Sequence, residues 1–151
     1  MATTPDETVF IDTNILVYAK LAAAPLHGLA LQRLAALQAN QSLTLWVSRQ
    51  VLREYIATMT RPGIVVPTVP IVALISDVRD FTRRFHVADD TRSVTDRLLR
   101  IIEQKGVSGK QIHDANIVAT MQAHGIDQLL THNVADFTRY SDLIHVSPLQ
   151  D

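Results

Sequence analysis

The sequence predicts an α/β protein, a three-layer α/β/α sandwich around a mainly parallel sheet of four to five strands. Short apolar runs rich in β-favouring residues alternate with longer segments whose apolar positions recur at helical spacing. The first of these runs, Val9-Phe10-Ile11, leads directly into the polar triplet Asp12-Thr13-Asn14 and then into a helix. That is the pattern of a buried parallel strand ending in a polar turn. In open α/β sheets, ligands bind in the crevice beyond the carboxyl ends of the strands, so Asp12 is placed at its mouth.

Residues 1–6 read as a loose terminus. After the first strand, a short helix is expected from Ile15 to Lys20, closed by the Ala-rich turn ending at Pro25. Leu26, Leu29, Ala30, Leu34 and Leu37 then mark a second helix reaching Ala39, broken by Asn40-Gln41-Ser42. Leu43 to Val47 is the second strand, and Ser48 is a good N-cap for a helix from Arg49 to Thr60. Arg61-Pro62-Gly63 stops that helix, and the prolines at 62, 67 and 70 make a stiff connector rather than a domain boundary.

A helix from Ile71 to Arg84 leads into a short strand, Phe85-His86-Val87. Asp89-Asp90-Thr91 caps the next helix, which runs to Lys105 and ends at Gly106. Ser108 and Gln111 have capping-box spacing, so the following helix is expected from Gly109 to His124. Asp127 to Thr131 is another strand, Asn133 to Phe137 a polar turn or single helical turn, and Leu143 to Val146 the last strand, with Pro148 in the tail. No repeat or low-complexity tract interrupts this order, and the chain reads as one domain over residues 1–151.

Composition narrows the class. The chain is 47% hydrophobic and 19% charged, a globular balance. Fourteen basic against fifteen acidic residues argue against a purely electrostatic nucleic-acid binder, although a local basic rim remains compatible. The absence of cysteine excludes disulfides and thiolate zinc sites and fits a reducing cytoplasm. Asp6, Glu7 and Asp12 stand where a signal peptide would need a basic start and an unbroken apolar core, and no apolar run is long enough for a membrane span.

The acids carry the functional signal. Asp12 ends the first strand, and Asp136 and Asn133 follow the strand that ends at Thr131. Glu54 shares a helix face with Val51 and Ala57, and Asp114 shares one with Ile117, Val118 and Met121, so both should point inward. Taken singly, each has an ordinary explanation: Asp12 as a helix cap, Glu54 as a solvated residue paired with Arg53 or Arg61, Asp114 at a favourable helix start, Asp136 as a loop acid. Together they need a common one. Two carboxylates about 4 Å apart repel by roughly 4 kcal/mol at an effective dielectric near 20, so a group of them shares protons or is neutralised by a cation. All-oxygen ligands favour Mg²⁺ or Mn²⁺ over zinc. Arg49, Arg53 and Lys110 are candidates to line the rim and meet phosphates; His113 and His132 are weaker signals, and neither is read as a ligand.

Phe10-Ile11-Asp12-Thr13-Asn14-Ile15-Leu16, Ser48 through Val51 to Glu54-Tyr55, His113-Asp114-Ala115 with Ala119-Thr120, and Leu130-Thr131-His132-Asn133 with Asp136-Phe137 resemble, in that order, the PIN domain, and within it the VapC-type toxins of toxin–antitoxin pairs. The resemblance implies a Mg²⁺- or Mn²⁺-dependent endoribonuclease whose metal is held by Asp12, Glu54 and Asp114. The fourth polar position matches Asn133 or Asp136, and Asp136 is preferred. Thr13 and Asn14 would support the site by hydrogen bonds. The resemblance further implies an RNA substrate cut to a 5′-phosphate and a 3′-hydroxyl, a protein antitoxin and a homodimer. The alternative is a catalytically inactive module of the same fold that binds RNA or protein. Phosphatase or receiver chemistry is weaker, because Asp12-Thr13-Asn14 lacks the second aspartate of the phosphatase signature and no suitably placed strand-end lysine follows. The leucine-rich stretch 26–37 and Val51, Leu52, Tyr55, Ile56 and Met59 offer more apolar surface than one sheet face needs; the surplus is expected to meet the antitoxin and a second copy of the chain.

Overall fold

A computed structural model describes residues 7–150, so the terminus expected over 1–6 lies outside the described residues. Five parallel strands make the sheet: β1 (Glu7–Ile11), β2 (Leu43–Ser48), β3 (His86–Ala88), β4 (Gln128–Thr131) and β5 (His145–Pro148), in the spatial order β3-β2-β1-β4-β5. The chain builds outward from β1 on one side through β2 and β3, and on the other through β4 and β5. The order therefore reverses between β1 and β4, the switch point at which open α/β sheets bind ligands.

Helices α1 (Thr13–Lys20), α2 (His27–Ala39), α3 (Arg49–Met59) and α4 (Ile71–Arg84) pack beside one another in one layer, and α5 (Arg92–Lys105) and α6 (Gln111–His124) pair in the other. The ring of His124 at the end of α6 meets Trp46 of β2, which fixes the side of the sheet that α6 covers. A four-residue helix α7 (Val134–Phe137) and a 3-10 turn at Thr138–Tyr140 precede β5. Phe10, Ile11, Val47, Leu129 and Leu130 are buried, as expected of central parallel strands covered on both faces.

The caps explain most boundaries. Ser48 Oγ accepts from the Val51 amide at 3.2 Å and starts α3, and Thr91 Oγ1 accepts from the Val94 amide at 3.4 Å and starts α5. Gly106 and Gly125 close α5 and α6 in the left-handed conformation, with φ of 65° and 69°. Where expectation and structure part, the causes are local. Helix α1 begins at Thr13 rather than Ile15, because Asp12 itself is the N-cap. Only the glutamine half of the expected capping box forms: Gln111 Oε1 accepts from the Ser108 amide at 3.2 Å, and α6 starts at Gln111 rather than Gly109. The last strand is His145–Pro148 rather than Leu143–Val146. Pro148 pairs opposite Thr131 on an edge strand, where a missing amide donor is tolerated.

The apolar surplus lies only in part where expected. Leu31 and Ile56 are exposed, but Val51, Leu52, Tyr55 and Met59 are buried, and Ile64, Val66, Ile71 and Val72, in and after the proline-rich connector, are exposed as well. Helix α4 is tied back to the core by the Tyr55 hydroxyl, which donates to Asp77 Oδ2 at 3.0 Å, while Lys20 Nζ stands 3.5 Å from Asp77 Oδ1. Burial and then the neighbouring carboxylate hold the Tyr55 hydroxyl far above its usual pKa, so it stays a donor. Tyr55→Phe should cost about 1 kcal/mol of unfolding free energy, measured by urea denaturation, with the far-UV spectrum unchanged.

Candidate active site

The cleft beyond the strand ends has a volume of about 890 Å³, and its wall includes Asp12, Asn14, Glu54, Lys110, Asp114 and Asn133. Asp12 is its deepest acid, only 6% exposed. Its Oδ1 accepts from the Thr13 amide at 2.8 Å, and its Oδ2 accepts from Thr131 Oγ1 at 2.8 Å and Asn14 Nδ2 at 3.2 Å. Asn14 also donates to Thr131 Oγ1 at 3.1 Å, and its carbonyl accepts from the His132 amide at 3.0 Å. The loop after β1 is thereby stitched to the loop after β4 across the switch point. Thr131 also accepts from the Asn133 amide at 3.1 Å, so one buried hydroxyl sets both Asp12 and the start of the Asn133 turn.

Glu54 reaches the same cleft from α3. Its Oε2 accepts from Thr13 Oγ1 at 3.1 Å and its Oε1 from Gln50 Nε2 at 2.8 Å. Asp114 comes from the first turn of α6 and Asp136 from α7. Burial pushes the Asp12 carboxyl up to about 6, partly offset by its three hydrogen bonds, and the charge of Glu54 adds to the rise. Asp114 is likewise pushed up to about 6, by burial first and then by the charges of Asp12, Asp136 and Glu54. Asp114 therefore feels the charges of the other three predicted acids, and Asp12 feels that of Glu54. The Tyr140 hydroxyl is buried with no hydrogen-bond partner among the described residues; burial raises its pKa, Arg139 opposes the rise and Asp114 adds to it.

The supporting roles expected of Thr13 and Asn14 are realised as hydrogen bonds to Glu54 and Asp12. Asn133 lies on the cleft wall, while Asp136 is absent from the residues lining it and enters through its charge on Asp114. Among the described residues, no three acid or histidine side chains stand close enough together to form a complete ligand set. The donors are of the type that suits a hard cation: carboxylates, with no ion pair to Asp12, Glu54 or Asp114 among the described residues.

The basic candidates divide. Arg49 Nε pairs with Asp89 at 3.0 Å and Arg53 Nη2 with Asp90 at 3.4 Å, on exposed surface, where such pairs contribute little to stability. Arg53 still borders the cleft, as do Lys110 and two residues outside the expected rim, Arg61 and His113. Thr131 and Gln50 are the contributors that sequence reasoning missed. Their only signal was a polar residue at a strand end and another one turn before Glu54, and neither is distinctive alone.

These elements define an α/β protein with an acid-lined cleft at the sheet's switch point, and the comparisons give that class a name. The PIN domain family model matches residues 9–143, and the chain belongs to that family. It is similar to Ribonuclease VapC48 of Mycobacterium tuberculosis, 28% identical over 137 residues that cover 87% of this chain and 91% of that protein. It is also similar to Ribonuclease VapC24 of the same organism, 25% identical over 132 residues, covering 86% and 89%. Among solved structures it shares its fold with VapBC-1 from nontypeable Haemophilus influenzae, at a TM-score of 0.66 and 18% identity, covering 95% of this chain and 99% of the other. It shares it also with M. tuberculosis VapC20, a sarcin-ricin loop cleaving toxin, at a TM-score of 0.62 and 17% identity, covering 80% and 86%.

The raised carboxyls make a pH prediction for the metal-free protein. Between the ordinary value of 3.8 and about 6, folded Asp114 retains a proton that the unfolded chain has released. Unfolding free energy therefore falls as pH rises through that window and levels off above it. Asp12, raised to the same value, adds to this fall, so Asp114→Asn should make it shallower without abolishing it and, at pH 7, stabilise the metal-free chain by about 1 kcal/mol. Urea unfolding at pH 4 and pH 7 measures both effects.

Proposed function

We propose that this chain is the ribonuclease toxin of a toxin–antitoxin pair, a Mg²⁺- or Mn²⁺-dependent endoribonuclease. The observation that supports the reading is that Asp12, Glu54 and Asp114 line one cleft, with the charges of Asp12, Glu54 and, from outside the lining, Asp136 adding to the cost of ionising Asp114. Its relatives named as VapC ribonucleases support the same activity. Asp12, Glu54 and Asp114 would hold the ion, with Asp136 as the preferred fourth residue and Asn133 the other candidate. When bound, the ion supplies a Lewis acid that activates water for attack on phosphorus and offsets the charge developing on the phosphate.

The chain's own residues prepare that chemistry. Thr13, Asn14 and Thr131 fix the orientation of Asp12, and Thr13 fixes one oxygen of Glu54. Lys110, Arg61 and His113 on the cleft wall are placed to meet the backbone phosphates of an RNA. Arg49 and Arg53 meet RNA only at the expense of their pairs with Asp89 and Asp90. Hydrolysis adds water across the P–O3′ bond and leaves a 5′-phosphate and a 3′-hydroxyl. Target choice rests on RNA shape and unstacked bases.

Structured RNA incubated with the purified protein and Mn²⁺ should be cut at defined positions. Chelation should stop cleavage, and Asp12→Ala should lower the rate at least 100-fold while the fold persists. An Asp12→Ala protein that cuts at the native rate would end the proposal. One observation favours a second reading, an RNA- or protein-binding module that does not cut: the described residues offer no closed ligand set. In that case RNA is bound but stays intact with or without Mn²⁺.

The proposed partner is a protein antitoxin, in line with the toxin–antitoxin complexes that share the fold. The exposed Ile64, Val66, Ile71 and Val72 offer it apolar surface, and Ile64 also borders the cleft. We place the protein in the cytoplasm as a homodimer; no described helix is long and apolar enough to cross a membrane. Light scattering of the protein alone should give twice the mass of the chain, and a strict monomer would refute the dimer.

A further inference from the structure

Gln50 sits at the centre of a buried amide network that the roles above do not explain. Its side chain is only 5% exposed. Its Nε2 lies 2.8 Å from Glu54 Oε1 and 2.8 Å from the His113 carbonyl oxygen, and its Oε1 lies 2.7 Å from Asn116 Nδ2. The chemistry of the neighbours leaves one orientation. A carboxylate and a backbone carbonyl only accept, so the amide nitrogen must face both of them. The oxygen then faces Asn116, whose own amide must turn its nitrogen inward. Every polar atom of Gln50 thus has a partner, and the flip of one amide dictates that of the other.

The network joins two elements that carry acids. Glu54 stands one helical turn after Gln50 on α3, and His113 and Asn116 flank Asp114 on α6. Gln50 holds one oxygen of Glu54 while Thr13 holds the other. Neither donor is charged, and each carboxylate oxygen keeps a free lone pair.

We propose that Gln50 and Asn116 are positioning residues: an Asn116–Gln50 amide relay sets the side-chain orientation of Glu54 from α6 and fixes where its carboxylate stands relative to Asp114. Building on the metal-dependent reading above, the relay tunes affinity for the divalent ion without touching it. Partners that orient a ligating side chain in this way are worth 10–100-fold in metal affinity.

The test begins with the metal-free protein, so that it stands apart from the metal reading. In side-chain NMR of the native chain, the Gln50 and Asn116 amide protons should exchange slowly with solvent. Asn116→Ala should speed exchange at Gln50 and shift the Glu54 carboxyl carbon resonance. Gln50→Met, which keeps the volume but removes every polar contact, should shift it further. Mn²⁺ titration of the same proteins by calorimetry should then show affinity at least 10-fold weaker in both variants, with melting curves confirming that they remain folded. A Glu54 resonance unmoved in both folded variants would overturn the relay. Native Mn²⁺ affinity in folded Gln50→Met would overturn its role in ion binding. If the native chain binds no Mn²⁺ while Asn116→Ala still moves the Glu54 resonance, the metal reading fails and the relay is upheld as the device that orients Glu54.

Discussion

The structure depends on keeping a buried carboxylate, Asp12, in place although its surroundings oppose its charge. Burial and Glu54 push its pKa up, while Thr13, Asn14 and Thr131 donate three hydrogen bonds that hold it still. Those donors are neutral, so they orient the group without cancelling its charge. A lysine or arginine in their place would have settled the electrostatics and left no net charge for a cation. Burial and the uncancelled charge of Glu54 raise the affinity of Asp12 for a proton, and on the proposed reading the same uncancelled charge would attract a divalent ion.

The fold supplies the place for that arrangement. Because strand order reverses between β1 and β4, the loops after these two strands part and leave a crevice. Asn14 bridges them, bonding to Asp12 and Thr131 and accepting from the His132 amide. Helix α3 brings Glu54 to the crevice, and the first turn of α6 brings Asp114, where the helix N-terminus favours a negative charge. A site of this kind is assembled at a cost to stability, since several acids are brought into one field. The remainder of the core, with β1, β2 and β4 buried on both faces, carries that cost.

Much of this was legible in the sequence because local chemistry and long-range role coincided. The run Val9-Phe10-Ile11 before Asp12 is a buried strand by composition, and a carboxylate at its end is both a helix cap and a cleft acid. Glu54 and Asp114 announced themselves as acids on apolar helix faces. What stayed hidden depends on partners far away in the chain. Thr131 reads as the end of a strand until Asp12, 119 residues earlier, is placed against it. Gln50 and Asn116 are neutral amides 66 residues apart, with no pattern of their own. Arg49 and Arg53 read from the sequence as candidates for the rim or as an ordinary solvated face, and their partners Asp89 and Asp90 read locally as helix-capping residues, so nothing local pairs them. The exposed apolar residues around the proline-rich connector stayed hidden because Ile64 and Val66 follow no period and Ile71 and Val72 open a predicted helix, so only packing shows that they are left uncovered.

If the acids around Asp12 form a cation site, an ion that binds the folded chain alone must raise its stability by RT ln(1 + [ion]/Kd). The direct measurement is thermal unfolding of chelator-treated protein at pH 7 as Mn²⁺ is added, with Ca²⁺ and matched ionic strength as controls. The account predicts a melting temperature that climbs with Mn²⁺ concentration in the native chain and stays flat when Asp12, Glu54 and Asp114 are all changed to their amides. A melting temperature that does not respond to millimolar Mn²⁺ or Mg²⁺, or that rises equally in the triple variant, would contradict it.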